Sequence, residues 1–465
     1  MKSLASLACL LPLAACMGPR PMPPETARVA PPPAWRTDIG PDAPIEAAWW
    51  KGFSDSELDR LVARALADSP EIGEAAARVA EARAQARLAR AQRGPEIDLQ
   101  GVGGYTRVLE VTGPITTWGA EPEATIAYDF DLFGRLAAAS AAAKTGLLAS
   151  RAAHDAVSLT IASTTAATYI QLLGSDERLR IARETLVARE ASLKVARRRF
   201  DRGYASALEL RQAEAEYRAT AQLVPAAELA VAQQENALAT LVGDPSARIT
   251  RPEGGLARLT VPAIPGGLPS TLLRRRPDIV AAEDMLIATD HSLDSARAAI
   301  LPDLALTGSR GEIIADALAQ PESIFLIGGS LLAPLFDSGR RHAAAEGAAA
   351  RRDEAAFAYR RVALNAFREV NDGLIAVGKL DAQIVELRAQ VEAQSGLLNV
   401  AAGRFRAGYA SYLDQVDAER SLLSAQLSLA QVETQRLTAI VSLYEAMGGG
   451  WSPGAANSVA DGGTR

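Results

Sequence analysis

The sequence predicts a mainly helical protein with a small amount of membrane β-structure, built from two copies of one unit. Three features support this: long proline-free segments rich in alanine, short segments with a two-residue apolar period, and an internal repeat of 205 to 207 residues. Of the 465 residues, 5% are aromatic and 22% charged, which is typical of long helices rather than of a mixed α/β enzyme. The formal charge of −6 gives no reason to expect nucleic-acid binding.

The N-terminus has the features of an export signal. Lys2 supplies a positive charge, residues 4–13 are apolar, and the small residues Ala14 and Ala15 precede Cys16. The apolar stretch is too short to span a bilayer. No other run of roughly 18 apolar residues is present, so we expect no transmembrane helix and assign any membrane crossing to β-strands.

The run Leu13-Ala14-Ala15-Cys16 resembles a bacterial lipobox. The resemblance implies cleavage before Cys16 and a covalent lipid on its sulfur, and Met17, in place of Asp, implies passage onward to the outer membrane. The alternative is an ordinary signal peptide with an incidental cysteine. After cleavage Cys16 would be the only thiol, so no disulfide could form within one subunit.

Residues 17–48 are rich in proline and alanine and are interpreted as an extended tether, with folded structure starting near Trp49. Residues 55–92 show helical periodicity with a break at Ser69-Pro70.

The internal repeat decides the fold. A shift of 207 aligns Pro70-Glu71-Ile72 with Pro277-Asp278-Ile279, and residues 95–99 with 302–306. A shift of 205 aligns residues 200–208 with 405–413 and Gly243 with Gly448. Only two residues are lost, between the paired strands. Gene duplication is the simplest explanation.

Each copy is predicted to contain a short helix, two strands and a helical hairpin. The strand pattern is strongest where Ile126, Tyr128 and Phe130 alternate with Asp129 and Asp131, and we expect these two aspartates to face a barrel lumen. A buried soluble sheet is the alternative. Residues 136–202 contain no proline and would span about 100 Å as a helix. Pro225 should kink or interrupt the returning arm.

These patterns give the following predicted boundaries: a signal peptide at 1–15; a lipidated tether at 16–48; a first repeat at 49–268, with strands at about 96–107 and 123–133, a helical hairpin at 136–242 and a linker at 243–268; a second repeat at 269–450, with a helix at 270–300, strands at about 303–311 and 323–336 and a hairpin at 340–447; and a flexible tail at 451–465.

Four strands cannot close a membrane barrel, because an open strand edge is not tolerated in lipid and known barrels begin at about eight strands. Subunits must therefore share one barrel. Two chains would give eight strands and three would give twelve, and the sequence alone does not choose between them.

Three motifs resemble the TolC-like outer-membrane factor family, in particular its lipoprotein, NodT-like efflux branch. They are residues 269–279 (PSTLLRRRPDI), residues 130–135 (FDLFGR) and residues 334–340 (PLFDSGR). The match covers nearly all of residues 49–450, with the motifs in the family's order.

The resemblance implies a homotrimer with a twelve-stranded β-barrel continuous with a periplasmic α-helical barrel. It also implies a periplasmic adaptor and an inner-membrane transporter of the RND type as partners, so that the chain would be the passive exit duct of an efflux pump for small amphipathic compounds. Two alternatives stay open at this point: the exit duct of a type I protein-secretion system, and a periplasmic coiled-coil adaptor or structural lipoprotein. The last would have a single hairpin and no paired amphipathic strands.

The two hairpin tips are candidate functional sites, since each combines a glycine suited to a tight reversal with flanking aromatic residues. In the resembling family the tips meet the adaptor; a bare turn requirement is the alternative. The candidate residues are Arg199, Phe200, Gly203, Tyr204, Arg404, Phe405, Gly408 and Tyr409.

Just after the second tip, Leu413, Asp417 and Arg420 share one helical face, with Asp414 beside them. The resemblance places a periplasmic gate here, and Glu209 occupies the corresponding place on the first tip. Three-fold symmetry would bring like carboxylates together, which could select cations or respond to pH. A solvated Asp/Arg pair is the alternative.

The remaining charged motifs do not indicate chemistry. Residues 274–276, three arginines before a helix start, are interpreted as structural and paired with acids. No zinc, nucleophile or phosphate-loop spacing is present, so we predict no enzymatic activity and no cofactor apart from the lipid on Cys16.

Overall fold

The structure, a computed structural model, describes residues 19–37, 45–111, 113–264 and 266–452. The predicted signal peptide, Cys16 and residues 453–465 of the predicted tail lie outside the described residues. The helices are α1 (Ser56–Asp68), α2 (Pro70–Ala91), α3 (Arg135–Asp201), α4 (Ala207–Ala221), α5 (Leu223–Leu241), α6 (Pro269–Arg275), α7 (Pro277–Ala298), α8 (Arg340–Arg406) and α9 (Tyr412–Ala446). The strands are β1 (Glu96–Glu110), β2 (Gly113–Phe130), β3 (Asp303–Ala315) and β4 (Glu322–Leu332).

The chain divides into two compact units. Among the described residues, the sheet unit comprises 19–29, 77–152 and 279–362, and the hairpin unit comprises the remainder, including both helical tips.

The lengths and positions of the helices confirm the duplication predicted from the sequence. Helices α2 and α7 are both 22 residues long and begin 207 residues apart. The long helices α3 and α8 are both 67 residues long and begin 205 residues apart. The repeat register is thus a property of the folded chain as well as of the sequence.

Two glycines show the repeat at atomic detail in the hairpin unit. Gly243 follows α5, and a Cβ built on it would lie 2.6 Å from the carbonyl oxygen of Asp68. Its repeat partner Gly448 follows α9, and a Cβ there would lie 2.1 Å from the carbonyl oxygen of Arg275. Both glycines have positive φ, 69° and 93°. In each copy the end of the return arm therefore packs against the end of a short helix, and glycine provides the room.

The four strands form one antiparallel sheet in the order β1-β2-β3-β4. Large apolar side chains along it are exposed, among them Leu99, Tyr105, Phe325 and Ile327. A soluble sheet would cover such a surface, so the exposure favours lipid contact over the alternative of a buried soluble sheet.

The predicted strand bounds need correction. β1 runs to Glu110 and β2 begins at Gly113, and these two residues pair, so residues 108–110 and 113–122 belong to strands. The prolines and glycines of β2, Gly113, Pro114, Gly119 and Pro122, weaken the sequence pattern there. Pro122 has no N–H to donate, and the β2–β3 ladder is interrupted opposite it. β4 ends at Leu332, before Pro334. β2 ends at Phe130, and Asp131, predicted to face a lumen, instead accepts hydrogen bonds from the N–H groups of Leu136 and Ala137 at the start of α3.

The return arm of the first hairpin is interrupted, as Pro225 predicted. α4 ends at Ala221 and α5 begins at Leu223, which places Pro225 in the first turn of α5, where a missing N–H is tolerated. The second return arm, α9, has no proline and runs unbroken for 35 residues.

Among the described residues, helix α3 contains a window long and apolar enough to cross a membrane by length and composition, although we expected no such helix. Half of that window is buried inside the protein.

In the hairpin unit, the N-terminus of α1 is bonded to the buried core. Asp55 accepts hydrogen bonds from the N–H groups of Glu57 and Leu58, and the buried Tyr169 hydroxyl donates to the same carboxylate at 3.2 Å. The fully buried side chains of this unit include Phe53, Leu58, Leu61, Ile170, Leu172, Leu173, Leu238 and Ile440.

The prediction of an extended tether up to residue 48 is wrong for residues 19–37. In the sheet unit, Arg20 lies between Asp290 (2.6 Å) and Asp294 (3.0 Å), and the buried Arg352 donates to the carbonyl oxygen of Pro21 at 2.5 Å. In the hairpin unit, the Trp35 indole donates to Gly267 at 2.7 Å. Composition indicated a linker, but charge pairing and an aromatic anchor fix this segment. The tail also begins fixed, since the Trp451 indole donates to Asp155 at 2.9 Å.

Candidate functional site

The two hairpin tips have the same backbone hydrogen bonds. In the first, the N–H of Tyr204 donates to Arg199 and that of Gly203 to Phe200; in the second, Tyr409 donates to Arg404 and Gly408 to Phe405. This pair of bonds is a Schellman helix end, and it requires positive φ at the glycine, which is 77° at Gly203 and 78° at Gly408. The turn requirement therefore explains both glycines, while the tyrosines after them are exposed.

A serine begins the return helix at each tip, but the acidic residue after it is used differently. Ser411 and Asp414 form a reciprocal capping box on α9. Ser206 accepts from the N–H of Glu209 on α4, whereas the Glu209 carboxylate lies 3.5 Å from the guanidinium of Arg199. Asp414, a candidate gate residue, is thus engaged in capping its own helix.

A small apolar cluster joins the tips behind these caps. It contains Ala196, Ala213, Tyr412 and Val416, with Leu193 and Phe405 packed against it. The guanidinium of Arg199 lies over the Phe405 ring at 4.9 Å, a cation–π contact between the two hairpins.

Arg189, which the sequence did not single out, lies at the centre of a buried charge network above this cluster. Its guanidinium, on α3, lies 3.3 Å from Glu216 on α4 and also contacts Glu419 on α9. The side chains of Arg189 and Glu216 are 2% and 7% exposed. Gln415 donates to the other oxygen of Glu419 at 2.7 Å. Three helices from both copies are therefore held at one point.

The candidate gate residues connect to this network through Arg420. Its guanidinium donates to the buried Glu216 at 2.9 Å and lies 3.6 Å from Asp417. The Glu216 carboxylate raises the pKa of Arg420. Leu413 and Asp417 are largely exposed, so the structure brings Asp417 and Arg420 together and leaves Leu413 free of the apolar cluster.

The first tip carries nothing equivalent at the position matching Asp417, which is Gln212. Glu209 lies on the first tip near Phe405 and not beside Asp417. The five candidate gate residues therefore separate into a Leu413/Asp417/Arg420 group, a helix cap at Asp414 and a tip contact at Glu209.

Arg276, one of the three arginines interpreted as structural, does pair with acids. It donates to Asp278 at 2.8 Å, to Glu369 at 2.7 Å and to the carbonyl oxygen of Ala446 at 3.1 Å. Burial by itself would lower the pKa of Arg276, but the two carboxylates outweigh this and the pKa is raised.

No group of three or more His, Cys, Asp and Glu side chains suited to a metal ion occurs among the residues that the structure describes. The arrangement at the tips is one of helix ends, apolar contacts and ion pairs.

Comparison with known proteins places this geometry in a family. The profile of the outer membrane efflux protein family matches residues 61–244 and 268–449. The chain is 35% identical over 461 residues to the pyoverdine export outer membrane protein OpmQ of Pseudomonas putida, covering 95% of this chain and 97% of that one. It is 31% identical to the toluene efflux pump outer membrane protein TtgC of Pseudomonas putida, covering 88% and 86%.

A solved structure of the outer-membrane channel OprN is similar with a TM-score of 0.84 and 28% identity, covering 94% of this chain and 99% of that one. The fold is therefore that of the TolC-like channels, and the relatives are transport proteins. The paired hairpins and four strands also exclude a single-hairpin adaptor. The chain belongs to the outer membrane efflux protein family.

Proposed function

We propose that the chain is one of three identical subunits of the outer-membrane exit duct of a tripartite efflux pump. The observation that carries this is the open sheet: within the described chain, β1 and β4 each pair on one side only, and apolar side chains along the sheet are exposed. Three copies supply twelve strands, enough for an aqueous lumen. Native mass spectrometry of the detergent-solubilised protein tests this, with a trimer expected; a monomer or dimer would contradict it.

The conduit is passive and carries small amphipathic compounds. Relatives named for pyoverdine export and toluene efflux support this class of cargo over a secreted protein. Expression in an efflux-deficient strain, together with the adaptor and transporter genes of the same pump, should restore tolerance to such compounds. Secretion of a protein without any gain in tolerance would instead favour a secretion duct.

The gate of the duct is formed by Leu413 and Asp417, positioned by Arg420. Under three-fold symmetry these exposed side chains from three subunits converge on the axis, where the leucines narrow the lumen and the carboxylates set its charge. Planar-bilayer recordings test this with Leu413→Ala and Asp417→Ala, for which we expect higher conductance. The repeat-matched variants Leu208→Ala and Gln212→Ala are controls and should conduct as the unaltered protein does. Unchanged conductance in both gate variants would refute the assignment.

The hairpin tips dock to a periplasmic adaptor, which in turn binds an inner-membrane transporter of the RND type. The exposed Tyr204 and Tyr409, held by identical turns, support the tips as contact surfaces.

Cys16 carries the lipid anchor. Mass spectrometry of the mature N-terminus tests that assignment, and a Cys16→Ser variant should lose the added lipid mass.

A further inference from the structure

A groove of about 950 Å3 lies between α3 and α4 on the first hairpin, just above its tip. We call it the basic groove, because its cationic side chains outnumber its acidic ones and flank an apolar floor that includes Leu193 and Tyr217. The cationic side chains are Lys194, Arg197, Arg198, Arg211 and Arg218.

The ion pairs inside the basic groove leave its charge accessible. Glu214 is shared by Arg211 at 2.8 Å and Arg197 at 3.4 Å, and Lys194 lies 2.9 Å from Glu190. The side chains of Arg211 and Lys194 are nevertheless 79% and 69% exposed. Exposed pairs of this kind contribute little stability. Arg198 donates to the carbonyl oxygen of Lys194, and the Arg218 guanidinium lies over the Tyr217 ring. A surplus of positive charge therefore faces solvent.

The second hairpin shows that the fold does not need these charges. Helix α8 has the same length as α3 and the two tips have the same turn, so each groove residue has a partner 205 positions later. The residues at the five matching positions are Asn399, Ala402, Gly403, Val416 and Leu423. None carries a charge. The basic groove is thus specific to the first copy of a duplicated shape.

A second copy of the chain does not supply the missing negative charge. A three-fold axis along the hairpins keeps the copies at equal height, where the second hairpin presents residues 395–406 and 412–423. The acids in these segments have other roles: Asp414 caps α9, Asp417 lies at the proposed gate, and Glu419 contacts Arg189. We therefore assign the complementary carboxylates to a different protein.

We propose that the basic groove receives an acidic helix of the periplasmic adaptor, with an apolar stripe on the groove floor and Asp or Glu side chains along both rims. This rests on the adaptor docking proposed above and adds the chemistry of the partner and the choice of hairpin. The second hairpin also contacts the adaptor, but its matching residues are uncharged and therefore do not select for acidic side chains.

The test uses the full-length lipidated trimer and two synthetic helical peptides of equal length. Both carry leucines at helical spacing, one with flanking glutamates and the other with flanking lysines. Fluorescence anisotropy should show that the glutamate peptide binds more tightly. The variant Lys194→Glu/Arg197→Glu should weaken its binding roughly tenfold or more. The matched variant Asn399→Glu/Ala402→Glu in the second hairpin should leave binding of this peptide within about twofold.

Trimer mass and thermal dissociation establish that each variant is folded. Equal binding of the two peptides, or equal losses from the two hairpin variants, overturns the inference. Bilayer conductance distinguishes a failure of the basic-groove inference from a failure of the proposed function. A trimer that conducts but binds both peptides equally refutes only the basic groove, whereas a protein that forms no trimer and no pore refutes the proposed function.

Discussion

The guanidinium of Arg189 lies 3.3 Å from the carboxylate of Glu216, with both side chains buried, and this contact joins the two arms of the first hairpin. Glu419, from the second hairpin, contacts the same guanidinium. Transfer of such charges out of water is costly, so the network is stable only while every member has its partner. It therefore links the stability of the lower hairpin unit to the relative placement of α3, α4 and α9.

Replacing Arg189 by Met should destabilise the protein strongly. The change leaves the partly buried Glu419 without a cation and the buried Glu216 with Arg420 alone, which costs up to about 3–5 kcal/mol. Urea unfolding of the detergent-solubilised protein, followed by helical circular dichroism, measures this. Arg180→Met is the control, because its pairs with Glu177 and Glu184 are exposed and should cost less than about 1 kcal/mol. Equal losses in the two variants would contradict the special position of Arg189.

Replacing Glu216 by Gln should alter the proposed gate without touching it directly. Glu216 orients Arg420, and Arg420 in turn lies beside Asp417. With the negative charge removed, Arg420 loses its ion pair with the buried side chain, and we expect a higher open probability in bilayer recordings. Glu228→Gln, which removes an exposed partner of Arg183, is the control. If Glu216→Gln gates as the unaltered protein does, Arg420 is not positioned by Glu216.

The sequence predicted those parts of the fold that local signals specify. The repeat register located the helices, proline and glycine marked their ends, and the tip motifs proved to be matching turns. The Arg189 network was not predictable in this way. Helical periodicity does not tell which charged residue turns inward, and Glu419 is 230 residues from Arg189 in the chain.

The other errors also have physical causes. Residues 108–110 and 113–122 pair as strands despite Gly and Pro, because hydrogen bonding between neighbouring strands overrides a weak local pattern. Residues 19–37 look like a linker by composition, yet Arg20 and Trp35 fix them through partners on distant helices. Tertiary charge pairing of this kind leaves no periodic signal.

Tyr412 should make stability fall at alkaline pH. Burial, with a contribution from the Glu419 carboxylate, raises the pKa of its hydroxyl from 10.0 to about 12. Below pH 10 the folded and unfolded states both keep the proton. Between pH 10 and about pH 12 the unfolded state has lost the proton while the folded state keeps it, so the free energy of unfolding falls as pH rises. No hydrogen-bond partner reaches this hydroxyl within the described part of the chain, so Tyr412→Phe should be nearly neutral at pH 7.

Urea unfolding at a series of pH values up to 12 checks this. The difference in the free energy of unfolding between the unaltered protein and Tyr412→Phe should be constant up to about pH 10. Above that pH the variant should become the more stable of the two. Tyr204→Phe, which alters an exposed tyrosine, should parallel the unaltered protein throughout. A parallel curve for Tyr412→Phe as well would rule out the buried hydroxyl as a source of alkaline instability.

Replacing Arg352 by Leu should release the N-terminal segment. Its side chain is 1% exposed and holds the carbonyl oxygen of Pro21 and the carboxylate of Asp353. Without this anchor, residues 19–29 should become accessible, and trypsin should cut after Arg28 faster than in the unaltered protein. Arg351→Leu changes the exposed neighbour and serves as the control. Equal cleavage rates in the two variants would show that Arg352 does not hold the segment.

Replacing either repeat-matched glycine by Ala should be more costly than replacing the tip glycine. Gly243, Gly448 and Gly203 all have positive φ, so each substitution carries a backbone cost of about 1–2 kcal/mol. At Gly243 and Gly448 the new Cβ also meets a carbonyl oxygen, whereas at Gly203 nothing lies within 4 Å. Urea unfolding should therefore rank Gly448→Ala and Gly243→Ala below Gly203→Ala in stability. Equal stability of the three variants would mean that the packing of each return arm against α1 and α6 tolerates a side chain, and that the twin glycines serve only the turn.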